Sequence, residues 1–202
     1  MAALSMRLRY SAGMPLRQTC PEPGRAAIPR LWLLSDARND AGLEDALRRL
    51  PSGSGFVFRH YHLTLDTRRE RFDALAELCR AQGHLLILSG DAATAQAWGA
   101  DGIYSAPGAL EKREGLLRLA TAHDAHEIDL ANQAGADAVF LSPVFPTRSH
   151  PDSRCLGKDE FLLLAARAQC PVIALGGMTA ERAAELGWDR WGAIDGLTSS
   201  RT

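Results

Sequence analysis

Four polar residues in a row, Thr147, Arg148, Ser149 and His150, follow the apolar stretch Phe140, Leu141, Ser142 and the stiff segment from Pro143 to Pro146. Two hydroxyls, a planar cationic fork and a titratable imidazole make a clamp for phosphate or pyrophosphate. Downstream, Val172 to Leu175 form a second apolar run that ends in Gly176 and Gly177, then Met178 and Thr179. Glycines let a backbone approach an oxyanion closely, and a helix start offers unpaired N–H groups with the positive end of the dipole. Thr179 is placed to cap that helix. Taken singly, the first segment also reads as a solvated polar loop and the second as an ordinary tight turn. Together they are two strand ends that can share one phosphorylated ligand.

Other residues stand where strands end. Arg59 closes the run Phe56, Val57, Phe58. A guanidinium there needs an anion, so it is either a ligand contact or half of an ion pair with Asp36. His60, Tyr61 and His62 follow without a defined metal spacing. His123 follows Thr121 and Ala122, where an imidazole can carry a proton near neutral pH or simply bond a loop at a helix start. Ser89, Asp91 and Asp195 also fall at strand ends, and Asp91 doubles as a helix cap.

The elements that would position these groups alternate. Strand signals cover residues 31–35, 56–59, 84–89, 102–105, 116–121, 138–142, 171–175 and 191–194. Helical spacing covers residues 40–50, 67–82, 92–98, 109–113, 124–134, 161–168 and 179–186, with a stub at 196–202. Gly83 is a candidate helix terminator. Two Gly-Ala-Asp units, at Gly99 and Gly135, precede strands as equivalent turns. Eight such repeats favour an α/β fold of the TIM-barrel type, (β/α)8 with parallel strands, over an open doubly wound sheet. In a barrel the loops at the strand C-termini carry the chemistry.

At 202 residues and 46% hydrophobic content the chain is long enough for one full core. A formal net charge of −1 gives no global field for nucleic acid or an anionic membrane, and no apolar run spans a bilayer. Residues 1–30 carry Arg, Pro and Gly without periodicity or a continuous apolar segment, and are expected to be an irregular extension rather than a secretory signal; residues 31–202 form the barrel. The four cysteines show no paired spacing, which fits a reduced, cytoplasmic protein. Oligomeric state is left open, a homo-oligomer included.

These pieces together resemble the thiamine-phosphate synthase/TenI superfamily, from Leu31 to about Ser199. Leu31-Trp32-Leu33-Leu34-Ser35-Asp36 is similar to the family's opening strand, and Gly99-Ala100-Asp101-Gly102-Ile103 to its Gly-Ala-Asp-Gly-Val segment. Thr121-Ala122-His123 resembles Ser-x-His, and Gly176-Gly177-Met178-Thr179 the thiazole-phosphate turn. Pro143-Val144-Phe145-Pro146-Thr147 matches the most specific motif, Pro-Val-Phe-Pro-Thr.

The resemblance implies a TIM barrel that takes small phosphorylated substrates. A synthase of this family couples hydroxymethylpyrimidine diphosphate to thiazole phosphate with Mg²⁺, releasing pyrophosphate through a pyrimidine carbocation. A TenI-type member instead tautomerises the thiazole phosphate with a His at the position of His123. On the synthase reading, Arg59 orients the anionic substrate and Thr147, Arg148, Ser149 and His150 hold the leaving pyrophosphate. Gly176 and Gly177 take the thiazole phosphate.

The chain departs from the family pattern at named places. Gln-x-Arg-x-Lys of the second strand is Val57, Arg59, Tyr61 here, and Asn-Asp of the third is Ser89-Gly90, with Asp91 one place late as the remaining candidate metal ligand. The second metal-binding Asp falls near Gly108 and Ala109. Ser149 and His150 stand for Thr and Lys, and Asp195 for a Ser, putting a carboxylate where phosphate would bind. Fewer carboxylates weaken Mg²⁺ binding. Synthase, tautomerase and non-catalytic phosphate-ligand binder all follow from the resemblance.

Overall fold

The computed structural model describes residues 27–148 and 154–198. Eight parallel strands close into a barrel in sequence order. They are β1 (Leu31–Leu34), β2 (Gly55–Phe58), β3 (Leu85–Ser89), β4 (Gly102–Ser105), β5 (Leu117–Ala122), β6 (Ala138–Leu141), β7 (Val172–Ala174) and β8 (Trp191–Ala193). Among the described residues six α-helices pack outside: α1 (Leu43–Arg49), α2 (Leu65–Gln82), α3 (Ala92–Trp98), α4 (Ala125–Ala134), α5 (Gly157–Ala165) and α6 (Ala180–Leu186). The expected (β/α)8 architecture is the observed one.

Strand parity divides the core in two, because successive side chains point to opposite faces. Trp32, Leu34, Val57, Ile87, Leu119, Phe140 and Ile173 fill the barrel interior. Leu33, Phe56, Phe58, Leu88, Ile103, Val139 and Leu141 face the helices. Trp32 has a glycine as register partner on each flanking strand, Gly55 on β2 and Gly192 on β8. A Cβ at Gly55 would collide with the indole itself, and one at Gly192 would crowd the Trp32 Cβ and carbonyl. The Trp32 Nε1–H donates to Pro29 O at 2.9 Å, and Phe140 meets the indole edge-on at 5.4 Å. The bottom of the barrel is therefore packed solid.

Helix ends follow the local chemistry. The Thr64 hydroxyl caps α2, whose residues Phe72, Leu75, Ala76 and Cys79 are buried at helical spacing, and Gly83 ends it at φ 70. Burial pushes the Cys79 thiol up to about 12, as expected of an inert core cysteine. The two Gly-Ala-Asp units are equivalent in structure. Gly99 and Gly135 end helices in the left-handed region, and Asp101 and Asp137 each accept the N–H of the second residue of the preceding strand, from Leu86 at 2.7 Å and Arg118 at 2.8 Å.

Two expectations are corrected. No helix forms over 109–113; a 3-10 turn at Pro107–Ala109 takes its place. The residues after Leu110 are Glu, Lys, Arg and Glu, all exposed, with no apolar stripe to bury. Helix α5 begins at Gly157, four residues earlier than its apolar pattern suggests. The amides of Leu156 and Gly157 bond Pro143 O and Val144 O, both at 2.9 Å, which anchors a polar first turn that periodicity does not reveal. Residues 27–30 carry neither helix nor strand; residues 1–26 of the expected extension lie outside the described residues, as do Cys20, Ser149, His150 and the end of the C-terminal stub. No helix among the described residues is long and apolar enough to cross a membrane.

Candidate functional site

Above the plugged bottom, the C-terminal ends of the strands surround one cavity of about 550 Å³. Residues of interior parity at the strand tops turn polar: Arg59 after β2, Ser89 on β3, Thr121 on β5 and Ser142 after β6. Of the residues singled out from sequence, Arg59, His123, Thr147, Arg148, Gly176, Gly177 and Asp195 line this cavity together, and Thr179 joins them. Ser149 and His150 lie outside the described residues.

One wall is built from backbone. The peptide Ser142–Pro143 is cis, and the loop it opens pairs with the loop after β7 through Val144 N–H to Leu175 O at 2.9 Å and Phe145 N–H to Gly176 O at 3.1 Å. Gly176 and Gly177 lie at φ 89 and φ 63. A Cβ on Gly176 would stand 2.6 Å from Pro143 Cα, and one on Gly177 2.5 Å from Pro146 O. Only glycine gives both the left-handed backbone and this close approach. Thr179 caps α6 by accepting from Arg182 N–H at 3.3 Å. Arg182, which no sequence motif marks, also lines the cavity. Its guanidinium lies over the Phe145 ring at 5.1 Å and donates to Gly177 O. Its position three residues past the cap Thr179 was the available signal, since a first-turn side chain there reaches back to the turn.

The opposite wall is built from side chains. Arg59 does not pair with Asp36: that carboxylate takes Arg38 Nε at 2.8 Å. Burial works against the Asp36 charge, but the Arg38 hydrogen bonds and charge, with a smaller Coulombic pull from Arg59, outweigh it and hold the carboxyl below its ordinary value. The buried Arg59 Nε has no hydrogen-bond partner among the described residues, and its guanidinium lies 5.5 Å from the Tyr61 ring. Tyr61 donates to Ser89 Oγ, which donates in turn to Tyr104 O at 3.2 Å. Burial pushes the Tyr104 phenol up, so it stays a neutral hydroxyl on the wall.

His123 is half exposed at the cavity rim, and its Nδ1–H and backbone N–H both donate to Glu127 Oε2 at 2.7 Å. That orients the ring and leaves Nε2 for exchange. Asp195 also lines the cavity, 3.6 Å from Arg38 Nη1, so its charge is partly answered from within the protein.

A Mg²⁺ ion needs one or two carboxylates besides substrate oxygens. Asp91 is absent from the cavity wall and caps α3, with Oδ1 accepting Thr94 N–H at 2.8 Å and Oδ2 accepting Thr94 Oγ1–H at 2.7 Å. No group of three or more His, Cys, Asp or Glu among the described residues is placed to hold a metal. With Asp91 engaged at a helix start and Asp195 beside Arg38, the described donor set does not suit Mg²⁺.

The thiamine monophosphate synthase family (TMP-TENI) matches residues 33–190. A thiamine biosynthesis bifunctional protein ThiM/ThiE from Symbiobacterium thermophilum is 31% identical over 85% of the chain, which spans 38% of that protein. A thiamine-phosphate synthase from Synechococcus sp. is 29% identical over 85% of the chain, which spans 53% of it. The chain thus spans about half or less of the length of these two relatives. In fold, thiamine phosphate pyrophosphorylase from Pyrococcus furiosus superposes with a TM-score of 0.71 at 23% identity, covering 85% of this chain and 88% of that one.

Proposed function

The chain belongs to the thiamine monophosphate synthase family, and from that premise we propose that it is a thiamine-phosphate synthase-type transferase. It would join hydroxymethylpyrimidine diphosphate to thiazole phosphate. A C–N bond forms between the thiazole nitrogen and the exocyclic methylene carbon of the pyrimidine. The C–O bond to diphosphate breaks, and its electron pair leaves with pyrophosphate.

The observation that carries this reading is the placing of two arginines on opposite walls of one cavity of about 550 Å³, Arg182 beside the glycine turn and Arg59 after β2. That volume is ample for two small heterocycles. The glycine turn and Arg182 receive the thiazole phosphate. Arg59, Arg148 and Thr147, with Ser149 and His150 of the same loop, receive the diphosphate and stabilise its growing charge. The apolar floor shields the reacting carbon from water. No step is assigned to a metal ion. The free thiols of Cys79, Cys155 and Cys170 suit a reduced, cytoplasmic setting.

The test is thiamine phosphate formation from the two substrates, read as thiochrome fluorescence, with Mg²⁺ and with EDTA. Product in the Mg²⁺ arm supports the transferase, and the EDTA arm decides whether a metal takes part. Folded protein that binds thiazole phosphate and forms no product overturns it. One observation favours a second reading, a TenI-type tautomerase: His123 is oriented by Glu127 at the cavity rim. It predicts proton exchange on thiazole phosphate, insensitive to EDTA and lost in H123N. Binding with neither activity marks a non-catalytic phosphate-ligand protein.

A further inference from the structure

Immediately behind Arg59 lies a buried polar chain that the reaction above does not use. The side chain of His60 is fully buried, and His60 is the one non-glycine residue among those described with a positive φ, 35. Such a backbone is uncommon for a residue with a Cβ and persists when its surroundings hold it. Three contacts hold it here. The ring stacks on Phe58 at 4.6 Å and 5°. Its Nε2 lies 2.8 Å from Asp40 Oδ1, and its Nδ1 lies 2.7 Å from Ser35 Oγ.

Proton bookkeeping sets the direction of the chain. The Asp40 carboxylate only accepts, so Nε2 carries the hydrogen. Burial lowers the His60 pKa, outweighing Asp40, so the ring is neutral and Nδ1 accepts. Ser35 Oγ–H therefore donates to Nδ1, and the same oxygen accepts the Arg59 backbone N–H at 2.7 Å. Asp40 is itself fixed by Arg71, whose Nε donates to it at 2.8 Å and whose other nitrogens hold Glu44. On the far side, Arg68 closes on Arg59 O with Nε at 3.1 Å and Nη2 at 2.9 Å, and Nη2 also reaches Ser89 O at 2.7 Å. The Arg59 peptide is thus gripped through both its N–H and its C=O, while its own Nε is left without a partner among the described residues.

We infer that His60 is a positioning residue: the chain from Asp40 through His60 and Ser35 locks the Arg59 backbone so that its guanidinium meets the anionic substrate already aimed. This rests on the reading of Arg59 as the diphosphate contact. The chain resembles a serine–histidine–aspartate triad only in composition. Ser35 is completely buried and is the hydrogen donor to the ring, so it has no route to a substrate.

Two variants test it. H60G keeps the turn, because glycine accepts a positive φ, and removes the bridge. S35A leaves His60 in place and removes the hydroxyl. The probes are the Arg59 Nε–H resonance of ¹⁵N-labelled protein, assigned with R59K, and calorimetric binding of inorganic pyrophosphate. Both variants should shift or broaden the Arg59 resonance and weaken pyrophosphate binding by about tenfold, since small misplacements of a binding group are costly. H60G should add nothing to the residual affinity of R59A, because His60 works through Arg59. An unchanged Arg59 resonance in both variants overturns the inference. So does an equal loss from H60G with Arg59 absent, which would mean a general loosening. If the native chain binds no pyrophosphate, the diphosphate reading fails, and the resonance alone decides the role of His60.

Discussion

The two walls of the cavity are made differently. Around β6 and β7 the site is shaped by backbone, with a cis-proline loop, two glycines at positive φ and strand-like bonds between adjacent loops, and the side chains of Thr147, Arg148 and Arg182 are mounted on that frame. Around β2 and β3 it is side chain alone: Arg59 held by its neighbours, and Tyr61 on Ser89. A backbone site tolerates little change, because each glycine answers a steric demand. A side-chain site can exchange its chemistry residue by residue while the fold persists. Departures from the family pattern fall around both: Val57, Tyr61, Ser89 and Gly90 on and after β2 and β3, Ser149 and His150 in the sequence after β6, and Asp195 after β8.

The comparison can be broken first at Gly176. G176A sets a Cβ 2.6 Å from Pro143 Cα at φ 89, and should cost about 2 kcal/mol in a urea melt and abolish thiazole phosphate binding. G187A is the control: its φ of 71 is equally unfavourable, but nothing lies within 4 Å. It should lose about 1 kcal/mol, the cost of a Cβ in the left-handed region, and keep its ligand. Equal binding by both variants would mean the turn is a fold feature alone.

On the other wall, R59A should lower the coupling rate by roughly 10²-fold, as loss of a charge-stabilising donor does. Thiazole phosphate affinity, measured without the second substrate, should not move. R182A should do the reverse, weakening thiazole phosphate by about tenfold, in keeping with a charge-assisted hydrogen bond, with the unphosphorylated thiazole alcohol unaffected. Were both variants to weaken both ligands alike, the two walls would be one site.

A subtler contrast is in pH. The folded-state pKa of His60 is lowered, chiefly by burial, so below the ordinary histidine value of about 6.5 the unfolded chain binds the extra proton. Stability is then lost as pH falls from there through the folded-state value. The groups around the ring, Asp40, Arg71 and His62, are present in either state of the ring. Melting temperatures between pH 7.5 and 5 should fall in the native protein and fall less in H60G. The smallest effect belongs to Asp91. D91A should cost about 1 kcal/mol as a lost cap, and D91N almost nothing, because Asn caps equally well. A D91N variant that loses Mg²⁺-dependent turnover would restore Asp91 as a metal ligand.

What could be read from the residues follows the same division. The barrel is legible because short continuous apolar runs, as expected of strands buried on both faces, alternate with period-3.6 helices and with glycine and aspartate at the turns. The backbone wall was legible for the same reason: Gly176, Gly177, Pro143 and Pro146 are geometric necessities that residue type reports directly. Arg182 was not, because an arginine in a first helical turn looks like solvent-facing charge until the loop carrying Phe145 is placed over it. Of the two roles open to Arg59, the direct ion pair with Asp36 does not form because Arg38, two residues from Asp36, takes that carboxylate at far lower loop-closure cost, and only a Coulombic pull from Arg59 remains. The helix expected at 109–113 rested on propensity without a face to bury.

The indole of Trp32 sets a last condition. With Pro29 beneath it and glycines on either side, it closes the lower end of the barrel. A small ligand resting on that apolar floor would therefore enter and leave at the strand C-termini, past Arg59, Thr147 and Arg182, the polar side chains that line the cavity.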